Sequence, residues 1–286
     1  MTDVPADVGV VSTRSLRLIG QGREAEIFEW TDGRALKLLR ARGSNAGLAF
    51  EIAALNAARS AGVAVPQTYD EVTIDGRSGL VMDRLEGSDL LTIIGQKPWR
   101  VFHSGRLTGE VHARINAAPA PASLPAVRDV VNRGLARLAL SEPALADRVR
   151  RILAHLPDGD ALCHGDFHPG QLMLSGDRYA ALDWSGARRG DPLFDYARTR
   201  VLLRMGEPPP GTSLALRLLA KIGRGLLLSS YVHSYQRHTS DRIDEVRLRR
   251  WEIVNLAVRV VDGIPGERPR LLRRLQEDFA RAEASS

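Results

Sequence analysis

The sequence predicts an α+β chain folded in two lobes: a small antiparallel-sheet lobe with one helix, then a larger and mainly helical lobe. Short apolar runs broken by Gly and Asp turns fill residues 15–85, and stretches at helical spacing dominate from residue 88 onward. A length of 286 residues suits one two-lobed unit better than several independent domains. The boundary is expected at Gly87, giving lobes 1–86 and 87–286.

In the first lobe, residues 15–19 run into Gly20-Gln21-Gly22, and residues 25–30 form a second strand. Thr31-Asp32-Gly33 makes a turn before a third strand over 35–39. A glycine-rich turn lets backbone N–H groups approach a phosphate, because no side chain intervenes. Gly20 and Gly22 are candidates for that role. Ala25 takes the third place of a G-x-G-x-x-G pattern, however, and an ordinary hairpin turn reads equally well. Lys37 sits in the third strand between Leu36 and Leu38, where a lone ammonium ordinarily snorkels to water. The next element argues instead for a fixed partner. Leu48, Ile52 and Leu55 recur at helical spacing across 46–61 and Glu51 lies on the edge of their stripe, with Glu71 as the competing carboxylate. A strand hairpin over 68–85, turned at Asp75-Gly76-Arg77, then leads through Met82, Asp83 and Arg84 into a more polar connector.

The second lobe opens with helices expected at 88–94, 99–116, 126–140 and 143–156, interrupted by the Pro- and Ala-rich stretch 117–125. His112 is expected to pack or hydrogen-bond inside the helical lobe, since nothing nearby supplies metal-ligand company. Asp191 as N-cap and Pro192 as first helical residue start another helix, with Asp195 in its first turn. Both acids could touch an active site, but capping and bracing is the favoured reading. Residues 212–284 read as three long helices divided at 238–241 and 263–266.

The chemistry is concentrated in residues 162–184, LCHGDFHPGQLMLSGDRYAALDW. Asp166 follows His164-Gly165, Gln171 comes five positions after Asp166, a turn falls at Ser175-Gly176-Asp177, and Asp183 ends an apolar strand-like run. Phosphoryl transfer needs such a set: a carboxylate to align the attacking hydroxyl, and oxygen ligands that hold Mg²⁺ against nucleotide phosphates. The spacing of an Asp, an amide five residues on and a separate metal Asp is that of a kinase catalytic loop. A strand lysine pinned by a helix glutamate, as Lys37 and Glu51 would be, belongs to the same device. In that architecture the connector at Met82 and Arg84 would meet adenine through its backbone, although any loop could look like this one.

Composition narrows the partners. The net charge of +6 comes almost wholly from Arg, with Lys37, Lys97 and Lys221 the only lysines. The Arg residues are scattered among acids without a basic, aromatic-studded patch, so no nucleic acid is expected, and the surface favours anions such as ATP. Cys163 is the single cysteine, which excludes an internal disulfide and makes a packed thiol in a reducing cytoplasm the expectation. Residues 1–10 lack the apolar core of a secretion signal and no apolar run reaches membrane-spanning length, so no membrane is expected.

HGDFHPGQLML, ALDW and GDPLFDYA, preceded by a strand lysine and a helix glutamate, together resemble the aminoglycoside phosphotransferase and choline kinase-like family over about residues 15–205. The resemblance implies a protein-kinase-like fold with ATP between the lobes, and transfer of the γ-phosphate to hydroxyls of small molecules. It implies Asp166 as catalytic base, Asp183 as principal Mg²⁺ ligand, Lys37 at the α- and β-phosphates, and Glu51 holding Lys37. His164 would brace the loop, and His168 matches a common family position with only loop packing to do. Gln171 departs from the pattern, standing where the family has a metal-binding Asn. Its amide oxygen is one methylene further out, while Mg²⁺ demands near-ideal octahedral distances. An active or attenuated kinase is expected, because both aspartates and Lys37 remain. The alternative is a catalytically silent nucleotide-binding protein with a regulatory or partner-binding role.

The acceptor is less legible. Residues 201–286 hold 15 Lys plus Arg against 10 Asp plus Glu, which counts against a polycationic aminoglycoside. Tyr231, Tyr235 and Trp251 could box a quaternary ammonium. Tyr231 and Tyr235 are four apart on a helix, however, a spacing that favours packing.

Overall fold

A computed structural model of the chain describes residues 12–22, 24–42, 46–205, 214–240, 242–262 and 266–284. The expectations for residues 1–10, for the start of the last helical region at 212–213, and for Asp241 and 263–265 within its two breaks lie outside the described residues.

β1 (Leu18–Gln21), β2 (Ala25–Glu29) and β3 (Arg34–Arg42) form the expected meander, α1 (Ala46–Ser60) follows, and β4 (Thr68–Ile74) and β5 (Arg77–Asp83) complete an antiparallel sheet in the order β1-β2-β3-β5-β4. β1 starts at Leu18 rather than at residue 15. The preceding residues Thr13–Ser15 instead make one 3-10 turn, tied to Asp75 through the Thr13 amide and hydroxyl at 2.9 and 2.7 Å. The two-residue period of β3 then does the important work. Leu36 and Leu38 join Phe28, Ile74 and Val81 in the core of one face, so Lys37 between them must point to the other, against α1 and the cleft.

The chain leaves β5 and enters the second lobe through β6 (Ser88–Asp89) and α2 (Leu90–Gln96). The expected helix at 88–94 therefore begins two residues late: Ser88 and Asp89 are strand-paired, and the Asp89 carboxylate caps α2 by accepting from the Leu91 and Thr92 amides. α3 (Val101–Asn116), α4 (Val127–Ala139) and α5 (Pro143–Ala154) follow. Four short strands next carry the loops: β7 (Ala161–Cys163), β8 (Leu172–Ser175), β9 (Arg178–Ala181) and β10 (Arg188–Gly190). β7 pairs with β10, and β8 lies between β6 and β9. The chain ends in α6 (Pro192–Met205), α7 (Leu214–His238), α8 (Glu245–Asp262) and α9 (Arg268–Ala284).

α4, α5 and α8 bury Val131, Leu135, Leu138, Val149, Leu248 and Val254, each side chain contributing about 1.5–3 kcal/mol on transfer from water. α3 lies unusually close to α7, because a Cβ at Gly105 would meet Ser230 at 2.7 Å and one at Gly109 would meet Ser234 at 2.8 Å. No described helix is long and apolar enough to cross a membrane. Cys163 is buried, and burial pushes its thiol well above the usual range, as a packed rather than reactive group requires.

Candidate active site

The loop after β7 is held from below by one buried carboxylate. Asp195, in the first turn of α6, accepts from the His164 and Gly165 amides at 2.6 and 2.8 Å and from Asn116 Nδ2 at 3.1 Å. His112 Nε2 stands 2.9 Å from the same carboxylate, and its Nδ1 stands 2.7 Å from the Tyr231 hydroxyl. Burial alone would raise the Asp195 pKa, but the charges of His112 and His164 and the Gly165 N–H outweigh it and hold the carboxyl far below its ordinary range. The bracing expected of Asp195 is thus seen directly. Asp191 accepts from the Leu193 amide at 3.0 Å and from Trp251 Nε1 at 2.6 Å, so it caps α6 and anchors α8.

A second set of contacts joins this loop to the segment carrying Asp183. His164 Nε2 donates to the Leu182 carbonyl at 2.8 Å, and the Leu182 amide donates to the Gln171 carbonyl at 2.8 Å. Gly165 has φ +82°, and a Cβ there would overlap the Gly186 carbonyl oxygen, so the two loops touch backbone to backbone. Asp183 itself takes a left-handed conformation, φ 53° and ψ 72°. Such strain in a non-glycine residue costs about 1–3 kcal/mol and persists only where surroundings enforce it.

Charge meets across the cleft. Lys37 Nζ lies 2.6 Å from Glu51 Oε1 and 3.2 Å from Asp183 Oδ1. Burial works against the Lys37 ammonium, but the charges of Glu51 and Asp183 more than offset it and raise its pKa. Burial pushes the Glu51 carboxyl up while Lys37 pulls it back. Asp183 shifts down: burial opposes its charge, and Lys37 and the Ser185 hydroxyl, 2.9 Å away, prevail. Glu51 is therefore the partner of Lys37, and Glu71 lies exposed in β4.

A cavity of about 1070 Å³ is lined by Gly20, Gly22, Lys37, Glu51, Met82, Arg84, Asp166, Gln171 and Asp183 together. Within it the Gly22 amide is already committed to the Ala25 carbonyl at 2.8 Å, and Arg84 pairs with Glu29. His168 Nδ1 accepts from the Gly170 amide at 3.0 Å and so shapes the loop. The Asp166 side chain is 45% exposed, its one ion-pair partner among the described residues being Arg198, with Nη2 3.6 Å from Oδ1. Arg188 lines the same cavity. Sequence reasoning passed over both arginines as two of many. The available signal was Arg198 three residues after Asp195, on the neighbouring face of one helix.

The three aromatic rings pack, as the helical spacing of Tyr231 and Tyr235 favours. Tyr231, Tyr235 and Trp251 are 0%, 2% and 1% exposed. Tyr235 stacks on Tyr196 at 4.1 Å, and Tyr231 and Trp251 are committed to His112 and Asp191. Large aromatic rings in this lobe gain more from burial than an exposed cage would give them.

No curated protein sequence matches the chain. Its fold is similar to that of a choline/ethanolamine kinase family protein from Mesorhizobium loti, with a TM-score of 0.60 and 18% identity over 98% of this chain and 90% of that one. Amicoumacin kinase hAmiN in complex with AMP-PNP, Ca²⁺ and Ami gives 0.56 and 14% over 93% and 88%. A thermostable mutant of aminoglycoside phosphotransferase APH(4)-Ia, in ternary complex with AMP-PNP and hygromycin B, gives 0.58 and 15% over 92% and 91%. The fold is thus the kinase-like two-lobed one. The model of the phosphotransferase enzyme family, APH, matches residues 15–231, well over half of the sequence, and the chain belongs to that family.

Proposed function

We propose that this protein is an ATP- and Mg²⁺-dependent kinase of small molecules, moving the γ-phosphoryl group to an acceptor hydroxyl with Asp166 as base. The observation that supports it is the meeting of Lys37, Asp166, Gln171 and Asp183 in one cleft, although Lys37 and Asp183 are 146 positions apart in the chain. The donor set suits Mg²⁺, which keeps several waters and takes only one or two protein oxygens beside phosphate. The Asp183 side chain is 50% exposed, with Oδ1 engaged by Lys37 and Ser185, and its second oxygen and the Gln171 amide remain for the ion. When bound there, Mg²⁺ neutralises charge on the phosphates.

Lys37, kept charged and immobile by Glu51, donates to the phosphates. The connector at Met82 to Arg84 faces the adenine, and it separates the lobes proposed as 1–86 and 87–286. Asp166, reachable from the cleft and steadied by Arg198, orients the acceptor hydroxyl and takes its proton as the new O–P bond forms and the bond to ADP breaks.

Incubating the protein with ATP, Mg²⁺ and a panel of sugars, amino alcohols and antibiotics tests this. ADP and a phosphorylated product are expected, with Asp166→Asn losing transfer while still being stabilised by Mg²⁺ and AMP-PNP. Full transfer by that variant, or no stabilisation of the wild type by nucleotide, would overturn the reading.

A further inference from the structure

We propose that the acceptor is itself an anion, a hydroxylated small molecule bearing a carboxylate or phosphate that Arg188 and Arg198 hold beside Asp166. This rests on the phosphoryl-transfer reading above and adds the chemical class of its second substrate.

The two halves of the cleft differ in how their cations are balanced. On the nucleotide side, Lys37 is matched by two close carboxylates, Glu51 and Asp183. On the Asp166 side two guanidinium groups enter the same cavity, Arg198 from α6 and Arg188 from β10. Arg198 has a single ion-pair partner among the described residues, Asp166, and at 3.6 Å that pair is long. Arg188 has none among the described residues: its Nη1 donates to the Ala187 and Ser185 carbonyls at 2.6 and 3.4 Å, contacts that fix the group without neutralising it. The Nε atoms of both arginines are buried with no hydrogen-bond partner among the described residues.

The surroundings agree. Burial disfavours the Arg188 charge, Arg133 and Arg198 add like charge, and only Glu24 of the opposite lobe offsets them. The helical wall of this half offers Val130, Phe194, Leu202 and Val258, and its Arg259 is held by Glu267. No carboxylate from α4, α6 or α8 is among the described residues lining the cavity. Of the other carboxylates that line the cavity, Glu51 and Asp183 are engaged by Lys37, and Asp83 by the Gln67 amide and the Tyr69 hydroxyl. An ammonium group entering on the Asp166 side would therefore meet two guanidinium charges, with Asp166 and Glu24 as the carboxylates left to receive it. A carboxylate or phosphate gains two charge-assisted donors and relieves their repulsion.

The experiment uses the whole chain saturated with Mg²⁺ and AMP-PNP, titrated calorimetrically with probes matched in hydroxyl framework and differing in charge. Gluconate, sorbitol and glucosamine form one series, and glycerol 3-phosphate and glycerol another, so the carboxylate and phosphate arms are read separately. At least one anion is expected to bind at least tenfold tighter than its neutral and cationic counterparts. Arg198→Gln and Arg188→Gln should each weaken that anion about tenfold or more while leaving AMP-PNP affinity within about twofold. Arg188 also holds two loop carbonyls, so the charge ranking in the wild type decides the matter should that variant unfold. Preference for glucosamine, no anion binding, or arginine variants that lose nucleotide instead of the anion would each overturn the inference. Failure of the wild type to bind AMP-PNP would instead defeat the phosphoryl-transfer reading beneath it.

Discussion

Replacing Gly165 by alanine probes the contact on which the cleft geometry turns. Two costs are separable. An L-residue at φ +82° pays about 1–2 kcal/mol for the left-handed conformation. The new methyl also meets the Gly186 backbone, overlapping its carbonyl oxygen and lying 2.9 Å from the carbonyl carbon. Backbone cannot rotate aside like the end of a side chain, so the two loops must part by roughly 1 Å, and overpacking of this kind costs about 1–3 kcal/mol more. Together these predict a loss of about 2–5 kcal/mol, a fall in Tm of roughly 3–8 °C for a chain of this size. Gly176, at φ +59° with nothing within 4 Å, supplies the control, since its alanine variant pays the backbone cost alone. Because Gly165 precedes Asp166, the displacement should also lower Mg²⁺- and ATP-dependent turnover by about a hundredfold. Thermal unfolding by circular dichroism and ADP release read the two effects. A Gly165→Ala protein as stable as Gly176→Ala, with turnover intact, would show that the loops do not bear on each other as described.

Two further outcomes follow from the charges. Asp195→Asn removes the carboxylate that four donors share and should cost about 3–5 kcal/mol at neutral pH. The folded-state pKa of Asp195 is depressed, so the unfolded chain binds more protons in the acid range and stability falls with pH there. The contribution is complete above the unfolded value, near 3.8, and is lost as pH drops below it toward the folded value. Urea midpoints from pH 7 to 3 should therefore show a wild-type advantage that is flat at first and shrinks below about pH 4; an advantage that grows on acidification contradicts the assignment. Gln171→Asn shortens the amide arm by one methylene and should tighten Mg²⁺ dependence and raise turnover severalfold, on the order of tenfold at most. A metal titration of the steady-state rate checks this, and a drop in rate would mean the cleft is built around glutamine.

Much of the site was readable because it is local. Asp166, Gln171 and Asp183 lie in one strand, loop and hairpin, and Lys37 and Glu51 in a strand and the helix after it, so spacing along the chain already restricts where each can point. The alternation of Leu36, Lys37 and Leu38 even assigns the lysine the face opposite the two leucines, since successive side chains of a strand point to opposite faces. Periodicity reports which residues share a face; it is silent about which faces meet. That Asp195 reaches back under His164 and Gly165 and that Tyr231 is spent on His112 depend on how α3, α6 and α7 pack. Glycines 105 and 109 bring two of those helices together, though they are more than a hundred residues apart in the chain. That Arg188 of β10 and Arg198 of α6 line one cavity has the same origin. Their charges are ordinary in sequence, and only tertiary packing brings them to the wall of one cavity, close enough for each to act on the other.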